Sequence, residues 1–201
     1  MFEEPNDISM GKQGWIEVIT GSMFSGKTEE LMRRLRRARY AKKSVKVFKP
    51  LIDTRYASDC VVSHDTNHLP CMQISSPRML VDMAELPDVI GIDEAQFFGD
   101  ELVSVCERLA AEGVRVIVAG LDMDFLGRPF GPMPQLMAVA EYVTKVHAVC
   151  AHCGSVAHYS HRISDSKQLY VLGEKDVYEP LCRSCFIKAS VKEADFAKAD
   201  N

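Results

Sequence analysis

No apolar run in this sequence approaches the roughly 20 residues that a membrane-crossing helix needs, so the pattern predicts a soluble chain with no membrane partner. The opening stretch, MFEEPNDISMGKQG, carries acidic and polar residues where a secretory signal would carry an apolar segment, which predicts a cytoplasmic protein. Neither sign of charge dominates: 24 Lys and Arg stand against 28 Asp and Glu, a formal net charge of −4. That balance offers no general attraction to a polyanion, so nucleic acid is not an expected partner without a local basic patch. Internal repeats and low-complexity tracts are missing as well. Cysteine is sparse and odd in number, seven in all, with four of them in two C-x-x-C pairs. This argues against a disulfide framework and for a metal site plus three free thiols in a reducing compartment. The spare thiols, Cys60, Cys71 and Cys106, read as packing residues.

What is present is an ordinary globular composition. A chain of 201 residues, 47% apolar and 26% charged, can bury a full core in one large domain or one domain plus a small appendage. Residues 1–14 lack apolar periodicity and are expected to form a flexible leader. From Trp15 the text alternates β-branched apolar runs with helical patterns: WIEVIT, a helix over Lys27 to Lys42, VKVFKP, VIGID, a helix over Glu101 to Ala111, then VRVIVAG. That rhythm predicts an α/β fold with a mostly parallel sheet flanked by helices. Val89 to Ile92 and Val114 to Ala119 have no polar face and are expected to be central strands. The stretch from Asp53 to Pro77 is weakly periodic and reads as either an antiparallel hairpin or an irregular loop. DMDFLGRPFGPMP, after Leu121, is broken by Gly and Pro and is expected to be a loop or extended arm. A last strand, about Tyr142 to Val149, leads into the cysteine region, which is followed by a polar tail.

Gly21-Ser22-Met23-Phe24-Ser25-Gly26-Lys27-Thr28 fits the phosphate-loop pattern G-x-x-x-x-G-K-[ST], between a strand and a helix as that motif requires. The glycines let successive backbone N–H groups turn toward a β-phosphate, and the helix start adds its positive end. Lys27 is expected to bridge the β- and γ-phosphates, and Thr28 to ligate Mg²⁺. In Asp88-Val-Ile-Gly-Ile-Asp93-Glu94 an apolar strand ends in two acids, which places Asp93 beside the same Mg²⁺ and leaves Glu94 as a general base toward an acceptor hydroxyl. ATP with Mg²⁺ is therefore the expected co-substrate. The helix after Thr28 carries Arg33, Arg34, Arg36, Arg37, Arg39, Lys42 and Lys43 on what reads as a basic outer face, solvated or paired with a neighbouring subunit.

Cys150-Ala-His-Cys153 and Cys182-Arg-Ser-Cys185, 28 residues apart, supply four thiolates suited to a tetrahedral Zn²⁺. With every position filled by sulfur no place remains for water, so the metal is expected to be structural. His152, inside the first pair, reads as a bystander. His158 and His161 are too loosely spaced to claim a metal.

These motifs occur together, in this order and at these distances, in the thymidine kinases of bacterial and animal-cytosolic type, which the sequence resembles. The resemblance lies in GSMFSGKTEEL (21–31), KPLIDTRY (49–56), IDEAQFF (92–98), AGLDMDFLGRPFGP (119–132) and residues 149–185. It implies that Glu94 takes the 5′-hydroxyl proton of thymidine, that Asp53 and Arg55 steady the Mg²⁺ and the transferring phosphoryl group, and that Gln96 lies beside the nucleotide. It also implies a lasso between the cysteine pairs, matched by residues 159–178, whose main chain reads thymine. The ring would stack near Phe97 or Phe125, with Met23, Leu121, Val171 and Tyr178 at pocket positions. Ser160 stands where threonine is expected, which keeps the hydroxyl and loses a methyl. The resemblance further implies a homotetramer and feedback inhibition by thymidine triphosphate. The resulting division is a leader over 1–14, a P-loop NTPase-like α/β domain over 15–148, a small zinc-binding lasso domain over 149–190 and a flexible tail over 191–201. The rival readings are a zinc-ribbon ATPase acting on nucleic acid, which a chain this short leaves little room for, and a non-catalytic nucleotide sensor, which would not need Glu94, Asp53 and Arg55.

Overall fold

In a computed structural model of the chain, residues 13–53, 60–62, 68–163 and 177–199 are described, with 60–62, 68 and 192–199 known by their backbone alone. In chain order the elements are β1 (Trp15–Thr20), α1 (Lys27–Tyr40), β2 (Val45–Pro50), β3 (Cys60–Val62), β4 (His68–Pro70), β5 (Met72–Ile74), β6 (Val89–Ile92), α2 (Glu101–Ala111), β7 (Arg115–Gly120), α3 (Met133–Val139) and β8 (Tyr142–Lys145). The cysteine region adds β9 (Ala148–Val149), β10 (Val156–Ala157), β11 (Tyr159–Arg162), β12 (Tyr178–Leu181) and α4 (Arg183–Ala199).

Six strands form one sheet in the order β5-β2-β6-β7-β1-β8, and every neighbouring pair is parallel. The two of these strands with every residue buried, β6 and β7, lie at its centre, where both faces must be covered. Alternation along β7 separates the two cores. Val116 and Val118 join Leu102, Val105, Cys106 and Leu109 of α2 and Met133 and Leu136 of α3 on one face. Ile117 and Ala119 join Leu31, Met32, Leu35 and Ala38 of α1 on the other. Leu31 and Leu35 have no exposed surface, and burying each such side chain stabilises the fold by about 1.5–3 kcal/mol. Gly91 in β6 permits this approach: a Cβ there would lie 2.7 Å from a Leu35 methyl.

Several local expectations need correction. The strand expected over Tyr142 to Val149 is two: β8 closes the sheet edge beside β1, and β9 turns away to pair antiparallel with β10. The Gly- and Pro-rich loop after Leu121 ends in a helix, because Pro132 caps α3 and Pro134 sits in its first turn, where a missing N–H costs nothing. The stretch from Asp53 to Pro77 holds an antiparallel β3–β4 pair, and also β5, which joins the main sheet beside β2. Arg34 does not belong to a basic outer face; it is 2% exposed and bonds Glu17 and Glu30. A helix, α4, covers positions 191–199, where the sequence suggests a polar tail. Cys71 and Cys106 are buried thiols, as expected of packing residues, while the Cys60 side chain lies outside the described residues.

Candidate active site and metal centre

The loop between β1 and α1 is built by backbone conformations that side chains resist. Gly21 has φ 149°, and a Cβ there would lie 2.1 Å from the Val146 carbonyl oxygen. Gly26 is left-handed at φ 83° and starts α1, whose Glu30 N–H donates back to the Gly26 carbonyl at 3.0 Å. Phe24, at φ 61°, packs against the Ala148, Cys150, Ala157 and Leu181 cluster, so the phosphate loop is seated on the cysteine region. Inside the loop, Lys27 Nζ donates to the Ser22 carbonyl at 2.8 Å, and the Ser25 hydroxyl donates to the same oxygen at 2.7 Å. The lysine is thereby held at the cradle where phosphate oxygens would take it over.

At the end of β6 the two acids diverge. Asp93 is 6% exposed, and its Oδ2 accepts from the Thr28 hydroxyl at 3.2 Å. A hydroxyl and a carboxylate this close form the hard-oxygen pair that suits Mg²⁺. Glu94 is left-handed at φ 51°, an uncommon conformation for a residue with a side chain, and its N–H donates to Asp93 Oδ1 at 3.0 Å. That bend turns the Glu94 side chain out of the strand direction, where its carboxylate accepts from the Gln96 side-chain amide. The other end of the same amide, Gln96 Oε1, accepts from the Leu121 N–H at 3.0 Å. Gln96 is 1% exposed and therefore ties the base candidate to the loop that follows β7.

Asp53 lies just beyond β2, 3% exposed, with its carbonyl accepting from the Gln73 side chain at 3.1 Å. Arg55 and Val171, both expected at the site, lie outside the described residues. The two aromatic candidates rest on different supports. Phe97 packs edge-on against Phe130, with centroids 6.0 Å apart, and lines an open cleft of about 490 Å³ with Pro50, Leu51, Ile52, Ile74, Ser75 and Phe98. Phe125 instead lies against the Arg162 guanidinium, 3.7 Å from the ring centroid, and Arg162 bonds the Tyr178 hydroxyl. Ser160, in β11, accepts from the Met23 N–H at 2.9 Å, which joins the lasso stem to the phosphate loop. The stem is the antiparallel β11–β12 pair, closed by the Ile163 N–H donating to Val177 O at 2.9 Å. Arg162 is the functional candidate that sequence reasoning misses. An arginine in a short polar strand reads as surface charge, and only the register that sets it opposite Tyr178 reveals otherwise.

The four cysteines meet. Their sulfur atoms all lie within 4.8 Å of one another, and Cys153 and Cys182 are 3.6 Å apart. The Cys153 thiol is drawn down to about 6, first by hydrogen bonding to Ser155. Cys185 is pushed up to about 12, first by its contact with Cys182. Four thiolates so close repel one another, and a divalent soft-tolerant cation relieves that repulsion; the donor set fits zinc with no position left for water. His152 is not part of this cluster, since its Nε2 lies 3.1 Å from Glu179 Oε2.

The thymidine kinase family model matches residues 14–186. A thymidine kinase of Bacteroides thetaiotaomicron is 53% identical over 189 residues, covering 94% of this chain and 95% of its own length. A thymidine kinase of a Rhodothermus species is 59% identical over 176 residues, 88% of this chain and 83% of its own. Among solved structures, the flagellar accessory protein FlaH of Methanocaldococcus jannaschii overlaps 72% of this chain and 75% of that one, with a TM-score of 0.49 at 12% identity.

Proposed function

The chain belongs to the thymidine kinase family and transfers the γ-phosphate of ATP to thymidine; on that premise we propose how its residues divide the work. The contact that carries the proposal is the one between the Thr28 hydroxyl and the Asp93 carboxylate, 3.2 Å apart at the mouth of the phosphate loop, with Glu94 as the next residue. The triphosphate lies along the N–H groups of residues 21–28, and Lys27 leaves the Ser22 carbonyl to meet the β- and γ-phosphates. Thr28 and Asp93 are the residues that would hold Mg²⁺, which when bound neutralises charge on the phosphoryl oxygens. Glu94 takes the proton of the 5′-hydroxyl, and Gln96 keeps its carboxylate aimed. Asp53 and Arg55 supply the remaining charge around the transferring group.

The acceptor nucleoside enters between the loop after β7 and the lasso. Phe125 and Tyr178 supply rings, Met23, Leu121 and Val171 apolar contacts, and the lasso main chain reads the base. Phe97 is the other candidate for stacking. Cys150, Cys153, Cys182 and Cys185 would hold a structural Zn²⁺, which when bound would tie both ends of the lasso together, with residues 15–148 as the catalytic unit and 149–190 as the closing one. Assembly as a homotetramer, inhibition by thymidine triphosphate and a cytoplasmic location complete the proposal. Among the described residues no helix is long and apolar enough to cross a membrane.

The test is kcat/KM for thymidine, deoxyuridine, deoxycytidine and deoxyguanosine at fixed ATP and Mg²⁺. Thymine presents a ring N–H between two carbonyls, and cytosine replaces that donor by an acceptor and one carbonyl by an amine. A main-chain reader cannot rotate to follow that exchange, so deoxycytidine should lose roughly 10⁴-fold or more. Deoxyuridine, lacking one methyl, should lose about 1–3 kcal/mol at most. Comparable values for thymidine and deoxycytidine would refute main-chain readout. ATP loss stimulated by DNA rather than by thymidine would favour the nucleic-acid ATPase.

A further inference from the structure

Arg162 is 5% exposed and sits directly opposite Tyr178 in the β11–β12 ladder. Its Nε and Nη2 both donate to the Tyr178 hydroxyl, at 3.1 and 2.7 Å. The same guanidinium covers one face of Phe125 with its carbon 3.7 Å from the ring centroid, and lies 5.2 Å from the Tyr178 ring. Three separate stretches of chain, the loop after β7 and the two lasso strands, thus converge on one cation.

We infer that Arg162 is a positioning residue of the acceptor pocket: through Phe125 and Tyr178 it sets two rings of the pocket that receives a pyrimidine nucleoside. The inference rests on the pocket proposed above. Phe125 belongs to no strand or helix, so no ladder fixes its ring. A guanidinium stacked on one face supplies that restraint, since a buried cation is attracted to the negative face of an aromatic ring. Phe125 is still half-buried with this contact in place. The fork on Tyr178 fixes the second ring, because two donors reaching one oxygen define the phenol's direction as well as its distance. The contacts on Phe125 and Tyr178 belong to the acceptor pocket proposed above, so the role concerns thymidine.

Steady-state kinetics separate this role from a general structural one. Wild type, Phe125→Ala, Arg162→Met, Tyr178→Phe and the Arg162→Met/Tyr178→Phe double variant are compared with thymidine and ATP varied in turn. Arg162→Met should raise the thymidine KM about tenfold or more while the ATP KM stays within about twofold, the pattern of lost acceptor binding. Because both changes remove one shared contact, the double variant should exceed Arg162→Met alone by no more than about twofold. If Arg162→Met does not accumulate as folded protein, Arg162→Lys carries the same test, since lysine keeps the charge but neither the flat face nor the fork. An unchanged thymidine KM in the Arg162 variant, beside a raised one in Phe125→Ala, overturns the role of Arg162 and leaves the pocket standing. An unchanged KM in Phe125→Ala overturns the pocket and this inference with it. Equal rises in both KM values, or strictly additive losses in the double variant, assign Arg162 to structure alone and also overturn the inference.

Discussion

The Ser160 hydroxyl accepts a hydrogen bond from the main-chain N–H of Met23 at 2.9 Å, across 137 residues of sequence. Ser160 is 4% exposed, and the bond joins β11 to the loop between β1 and α1; in the mechanism proposed above it links the two substrate sites. Ser160→Ala leaves the Met23 N–H without this acceptor, a loss of about 1–3 kcal/mol where water does not replace it. Both KM values should rise, and thermal unfolding should come earlier. Ser160→Thr keeps the bond and should remain within about 1.5 kcal/mol of the wild type, since it adds one methyl. A threonine variant as damaged as the alanine variant would show that the site rejects volume and does not depend on the hydroxyl.

Glu94→Gln keeps size and removes the base. Turnover should fall by about 10² or more while nucleotide binding persists. Lys27→Ala should weaken both ATP binding and turnover, because the lysine meets the phosphates before and during transfer. Isothermal titration with a non-hydrolysable ATP analogue, alongside kcat, distinguishes the two; near-normal turnover in Glu94→Gln would remove that residue from the mechanism.

The cysteine cluster predicts about one zinc per chain in protein purified without added metal. Cys182→Ser should lower the metal content and expose the lasso to protease before the sheet domain unfolds. Elemental analysis that finds no zinc sinks the assignment.

Glu17 has no exposed surface and accepts from Arg34 at 2.7 Å, Arg115 at 2.6 Å and Trp15 at 2.8 Å. Glu17→Ala takes the shared carboxylate from two buried guanidinium groups, a destabilisation of up to about 3–5 kcal/mol for a broken buried pair, lessened at Arg34 because it keeps Glu30 and Thr144. Denaturant unfolding should show this loss, while KM values of the remaining folded protein stay near wild type. Retained stability would mean that Arg34 and Arg115 find other partners.

The chemistry of this protein was legible where it is written in contiguous residues. The phosphate loop needs glycines at fixed positions between a strand and a helix, and the acids Asp93 and Glu94 end an apolar run, so backbone geometry alone places them together. The paired cysteines carry the same local logic, because each C-x-x-C turn presents two sulfurs to one point. Likewise β6 and β7 announce themselves as central strands because the continuous apolar runs Val89–Ile92 and Val116–Ala119 admit no solvent face. Tertiary structure decided the contacts that join distant segments. Nothing in the spacing of Met23 and Ser160, of Gln96 and Leu121, or of Arg162 and Phe125 brings them near; Gln96 meets Leu121 because β6 pairs with β7, and Met23 meets Ser160 where the cysteine region packs on Phe24. Arg34 shows the same limit from the other side: a charge on a basic helix reads as solvated until Glu17, on a neighbouring strand, is seen to bury it.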